Sequence, residues 1–225
     1  SIDSSIATFV LVPVPMFVLM GEVIFHSGVA LKTIEVLDEW LGRVAGRLAL
    51  LAIGAGALFA TLTGVAMGSV AMLGSTLAPE MQRRGYTKAM SLGPVLASGS
   101  LAIMIPPSTL GVILASMGHF SVGKLLIGII VPGLLLAAVY AAYVLIRCTL
   151  QPALAPPYDV APAPLGRRIR DAVVYVVPLL SVILVAIGTI FFGVATPTEA
   201  AALGALLCFL LALLYGKLTW EATRK

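Results

Sequence analysis

Two short stretches of this chain could do chemistry with the backbone rather than with side chains. One is Thr63, Gly64, Val65 and Ala66; the other is Ile105, Pro106, Pro107 and Ser108. Both interrupt long apolar runs. Two consecutive prolines remove two N–H donors and clash with the preceding helical turn, and a threonine–glycine pair set among small residues ends a helix. Each interruption leaves free carbonyls at one half-helix end and free N–H groups at the other. Carbonyl oxygens suit a sodium ion, and N–H groups at a positive dipole end suit a carboxylate. In a hydrocarbon setting such breaks are tolerated only where protein covers them or a cavity receives them. Broken helices meeting at the bilayer midplane are the usual architecture of a secondary-transporter site.

Other residues are weaker candidates. Glu22 lies near the end of an apolar run, where an interfacial role competes with ion binding. His26 and His119 fall at the ends of runs. Glu199 follows Thr196, Pro197 and Thr198, the pattern of a first-turn acid with a threonine cap. Ser98, Gly99 and Ser100 permit close helix packing and could also face a site from the half-helix before the proline break. The cysteines, Cys148 and Cys208, read as buried free thiols, and the eight methionines as packing. No spacing suggests a metal cluster. No deep histidine or paired acids offer the nucleophile and base of an intramembrane enzyme.

The elements that must position the breaks follow from composition. The chain is 60% hydrophobic and 11% charged, with a mean hydropathy of +1.09. Soluble domains are nearer ~45–50% and ~25%. The formal charge of +4 sits in short links between apolar runs, which reads as membrane topology and excludes a nucleic-acid surface. The expectation is an all-α polytopic membrane protein, with lipid as its surroundings.

Along the chain the pattern predicts a transmembrane helix over 1–28, an amphipathic interfacial arm over 29–47 and a re-entrant helical hairpin over 48–80. A broken transmembrane helix over 89–117 and a further span over 125–147 come next, then a cytoplasmic Pro-rich loop over 148–170 and spans over 171–192 and 198–216. Each hairpin arm has room for about 15 residues, about 22 Å at ~1.5 Å per residue, against a hydrocarbon core of ~30 Å. The hairpin tip is therefore expected near the midplane. With that map, 13 of the 14 lysines and arginines fall on one side and only Lys124 on the other. If 48–80 were a single crossing, that bias would be lost. The chain starts at Ser1 without a basic n-region, which suggests a piece of a longer protein.

Several motifs, in order, resemble the large membrane subunit of tripartite ATP-independent periplasmic (TRAP) transporters, of the DctM type. Pro15-Met16-Phe17 with Gly21-Glu22 and Ser27-Gly28 is similar to that family's "IPLF…GE…SG" opening. Gly74-Ser75, Pro79-Glu80-Met81 and Arg83-Arg84-Gly85-Tyr86 resemble the link after its first hairpin, and Ile105-Pro106-Pro107-Ser108 its "IPPS" break. Ser121-Val122-Gly123-Lys124-Leu125 with Val131-Pro132-Gly133-Leu134 resembles "SIGKL…PG", and Thr196-Pro197-Thr198-Glu199-Ala200-Ala201 resembles "TPTEAA".

The resemblance implies an elevator-type fold of inverted repeats, of which this chain is the N-terminal half. It implies sodium-coupled symport of an organic anion, such as a dicarboxylate or sugar acid, across the bacterial inner membrane. It also implies a small TRAP membrane subunit and a periplasmic substrate-binding protein as partners. Sodium is the coupling ion, and no other cofactor is implied. The family's Ser-Gly-Ser tip falls on Thr63, Gly64 and Val65; Thr63 keeps a hydroxyl, whereas Val65 offers only its carbonyl. Thr63, Gly64, Val65, Ala66, Ile105, Pro106, Pro107 and Ser108 are then expected to line half of a site, with sodium held by Thr63, Gly64 and carbonyls near Ile105. Half a site cannot transport, so the segment alone is expected to be inactive. The alternatives are a related anion carrier that works without a binding protein and a purely structural membrane subunit.

Overall fold

The computed structural model describes residues 12–42, 44–156 and 164–215. All regular structure among them is helical. Helix α1 (Pro13–His26) starts on a proline, whose missing N–H has no partner to lose at that position. The chain bends by 72° into α2 (Val29–Leu41). This second helix buries Val29, Ala30, Thr33, Ile34 and Val36 and turns Lys32 and Glu35 outward, while Asp38 and Glu39 are half-buried. Thr33 donates to the Tyr175 carbonyl at 3.3 Å, and Arg168 donates to the Glu39 carbonyl at 2.6 Å. The Arg168 guanidinium also lies 5.1 Å from the centre of the Trp40 ring.

The arm expected over 29–47 stops earlier, at Leu41, and Arg47 already belongs to α3 (Arg47–Thr63). Gly42 and Gly46 interrupt it, both at positive φ. Arg47 ties the two helices together. Its Nε donates to the Asp38 carboxylate at 2.6 Å and Nη2 to the Asp38 carbonyl at 2.7 Å.

α3 returns through α4 (Ala66–Arg83), and the two form the hairpin. At its base the Tyr86 hydroxyl accepts the Leu48 N–H at 3.4 Å, and burial pushes that phenol above its ordinary range. α5 (Lys88–Met104), capped by Thr87, and α6 (Thr109–Met117) form the broken pair, bent by 42°.

α7 (Val122–Gly128) and α8 (Ile130–Leu150) run together as a 29-residue apolar stretch. α9 (Leu165–Asp171) passes through a π-helical turn into α10 (Val177–Phe191), a 27-residue stretch. α11 (Pro197–Leu214) closes the described chain. These three stretches are long and apolar enough to cross a membrane, or five if each bent pair counts as one span.

The loop expected over 148–170 is shorter than that at both ends. Arg147, Cys148 and Thr149 leave the helical ladder intact, so α8 continues until Pro152 withholds its N–H. From Leu165 a new helix starts, with Arg167 and Asp171 paired one turn apart. Residues 157–163 of that loop lie outside the described residues.

The core is built around α3. It packs against α5 where Gly56 meets Ser98 so closely that no Cβ would fit on the glycine. Gly99, one residue on, presses the same way on Val70 of α4, and Ser100 shares a 3.0 Å hydrogen bond with Tyr140 of α8. The Ser98-Gly99-Ser100 run thus joins α5 to three neighbours, and Ser98 spends its hydroxyl on the Val95 carbonyl.

Candidate functional site

The hairpin tip is made by a glycine that no other residue replaces easily. Gly64 ends α3 with its N–H on the Ala60 carbonyl at 2.8 Å. Its φ is +60°, a conformation that costs an L-residue ~1–2 kcal/mol. A Cβ there would also sit 3.1 Å from the Pro107 carbonyl oxygen and 3.1 Å from the Thr109 methyl. Val65 is extended and redirects the chain into α4. The Thr63 hydroxyl seals the turn: it donates to the Val65 carbonyl at 3.0 Å and accepts the Val65 N–H at 3.1 Å.

The second break has a different local chemistry. Ile105 closes α5 through its N–H to the Leu101 carbonyl at 2.7 Å, then adopts an extended conformation. The Pro106–Pro107 peptide is cis. Ser108 is extended and caps α6, its Oγ accepting the Gly111 N–H at 3.1 Å. Among the described residues, the carbonyls of Ile105, Pro106 and Pro107 receive no backbone N–H.

The two breaks meet. Thr109, the first residue of α6, donates its hydroxyl to the Gly64 carbonyl at 2.6 Å and its N–H to the same oxygen at 3.3 Å. Four helix ends therefore converge: the negative ends of α3 and α5 and the positive ends of α4 and α6. Thr63, Gly64, Ile105, Pro106, Pro107, Ser108 and Thr109 are all buried, while Val65 and Ala66 are half-exposed.

Neighbouring helices hold the place tightly. Gly21 of α1 lies against the Thr63 side chain, and Gly133 of α8 against the Met104 carbonyl, each without room for a Cβ. The proline rings pack on an apolar crevice of about 10 Å³ with Phe17, Leu126, Ala186, Ile187 and Ile190.

The oxygens gathered here belong to carbonyls and hydroxyls. Among the described residues no group of three or more His, Cys, Asp or Glu could hold a metal ion. Such a donor set favours a hard, weakly charged cation over a transition metal. Glu22 is not part of it: its carboxylate is exposed and pairs with His26 at 3.1 Å. Glu199 forms a capping box with Thr196, as its spacing suggests. Thr109 is the residue that sequence reasoning left out, although a hydroxyl at the first position after a capped break was the available signal.

Among the described residues, an all-helical arrangement with three to five candidate spans and two adjoining backbone breaks marks a multi-pass membrane protein. Its sequence matches the family "Tripartite ATP-independent periplasmic transporter, DctM component" over residues 1–225, and the chain belongs to that family. It is 36% identical over 199 residues to the C4-dicarboxylate TRAP transporter large permease protein DctM of Pseudomonas aeruginosa, covering 88% of this chain and 45% of that protein. It is 35% identical over 205 residues to the isethionate TRAP transporter permease protein DctMQ of Oleidesulfovibrio alaskensis, covering 90% and 31%. Against the ectoine TRAP transporter large permease protein TeaC of Halomonas elongata it is 31% identical over 192 residues, covering 85% and 44%. The chain spans less than half the length of these curated relatives. The relatives are named as transporter permeases, not as enzymes.

Proposed function

We propose that the complete permease imports an organic anion together with sodium, and that this chain supplies one half of the binding site. The observation that carries the reading is the shared Gly64 carbonyl, where the hairpin tip and the broken helix are bonded through Thr109. Around it, Thr63 to Ala66 and Ile105 to Ser108 form the first half of the site. The carbonyls of Ile105, Pro106 and Pro107 are the sodium-facing oxygens, and the N-terminal ends of α4 and α6 favour the anion. The second half comes from the remainder of the permease.

In this reading α3 and α4 form a re-entrant hairpin. Their 17 and 18 residues reach about 26 Å at ~1.5 Å per residue, short of a ~30 Å hydrocarbon core. The 72° turn between α1 and α2 lays the amphipathic arm along the interface. The surroundings are the lipid of the bacterial inner membrane. The partners are a small TRAP membrane subunit and a periplasmic binding protein that delivers the substrate. Two of the relatives are named for anions, a C4-dicarboxylate and isethionate, which supports an organic anion as cargo.

The test is sodium-dependent uptake by the complete permease reconstituted with its partner proteins. Ser108→Ala removes the acceptor of the Gly111 N–H and Thr109→Val the donor to the Gly64 carbonyl. With the breaks held less firmly, each is expected to raise the sodium concentration needed for half-maximal uptake by about two- to tenfold, the worth of one neutral hydrogen bond. An unaltered sodium dependence in both variants would sink the reading.

A further inference from the structure

A groove of about 440 Å³ lies between α5 and α8, in the halves of both helices remote from the breaks. Its volume falls within the ~300–1,000 Å³ of ligand pockets. Met90, Gly93, Pro94 and Ala97 form one wall, at the spacing of a single helix face. Val139, Tyr140, Tyr143 and Val144 form the facing wall. The space is elongated: the ten residue steps from Thr87 to Ala97 span about 15 Å at ~1.5 Å per residue. Toward the break it closes at the Ser100–Tyr140 hydrogen bond. Its floor is Ile53 of α3, and its other end is bounded by Leu154, whose carbonyl accepts the Thr87 N–H at 3.1 Å.

At that end sits Arg147. Among the described residues, its Nε is buried without a hydrogen-bond partner and no acid lines the groove. A sheltered guanidinium nitrogen without an acceptor is costly, and a planar guanidinium matches a phosphate with two parallel hydrogen bonds. Arg147 also stands near the end of a long apolar helix, the depth at which lipid headgroups lie. Basic pockets between transmembrane helices are suited to lipid head groups.

We propose that the α5–α8 groove binds an anionic glycerophospholipid. One acyl chain lies along the wall between Met90, Ala97 and Tyr140, and the phosphate is held by Arg147. Apolar walls with a single cation at one end, without a partner among the described residues, fit an amphiphile with one negative head. A protein segment filling the same groove would need an acid to meet Arg147.

The test uses the complete permease, purified in mild detergent and exchanged into nanodiscs of phosphatidylglycerol and phosphatidylcholine. Lipid that survives delipidation is counted by native mass spectrometry. The wild type is expected to retain phosphatidylglycerol in preference to phosphatidylcholine. Arg147→Gln is expected to lower that retention about tenfold, the worth of one charge-assisted hydrogen bond, and to erase the preference. Gly93→Leu places a side chain where the glycine has open space, and is expected to exclude both lipids with the fold intact. Lys124→Gln, a cation outside the groove, is expected to leave retention unchanged. Equal phosphatidylglycerol retention in the wild type and Arg147→Gln would overturn the proposal. So would equal retention of the two lipids by the wild type, or a photoreactive side chain at Tyr143 that crosslinks to protein instead of lipid.

Discussion

Helices α3 and α8 are both apolar, yet their surroundings are opposite. α3 buries 13 of its 17 residues, whereas α8 buries only Gly133, Val144 and Cys148 of its 21. The difference lies in side-chain size and in continuity. α3 is crowded with Ala49, Ala52, Ala55, Gly56 and Ala60, small enough to let α4 and α5 approach. It ends at an interruption. α8 is rich in Leu134, Leu135, Val139 and Tyr143, all exposed, and its hydrogen-bond ladder runs on to Leu150. The break residues from Ile105 to Thr109 are wrapped in protein, and α8, whose backbone is satisfied, is left for lipid, as a solvent without hydrogen-bonding groups demands.

Substitutions can break or sharpen that contrast. Gly64→Leu is expected to be the most damaging, combining an unfavourable φ with a close approach to the Pro107 carbonyl. A loss of about 2–5 kcal/mol is expected, read as a large fall in Tm of the purified permease together with lost uptake. Gly56→Val drives a side chain into Ser98 and is expected to cost about 1–3 kcal/mol. Pairing it with Ser98→Gly is expected to recover part of the loss in a double-mutant cycle.

Thr109→Val keeps the shape and removes the hydroxyl on Gly64. It is expected to lower stability by about 1 kcal/mol, with Thr109→Ser restoring it. Leu135→Ala on α8 touches an exposed position and is expected to change thermal stability by less than about 0.5 kcal/mol. A loss there as large as that of Gly56→Val would mean that α8 is not left to lipid, and the contrast would collapse.

The two breaks were legible because glycine and consecutive prolines act on their own backbone, so Thr63-Gly64 and Pro106-Pro107 announce themselves locally. The Thr196–Glu199 capping box was legible for the same reason, its atoms being three residues apart. The bond between Thr109 and Gly64 was not, because it joins positions 45 residues apart and depends on how α6 seats on the hairpin. Hydropathy also could not tell α3 from α8, since a leucine against protein and a leucine against lipid carry the same score. The arm's true end at Leu41 turned on glycine conformations at Gly42 and Gly46, which a helical periodicity reaching to Arg47 conceals. Arg147 was only one of the 13 basic residues counted on one side, because the groove beside it depends on how α5 and α8 pack.

Because Gly64 and Thr109 share one oxygen, covalent and mechanical continuity take different routes through this unit. Along the chain, a push on the tip would travel down α4, round Gly85 and back up α5 before reaching α6. Across the bridge it arrives in a single step. The hairpin and the short helix behind the prolines therefore behave as one closed ring, and a displacement at either edge is delivered to the other without bending the long arms between them.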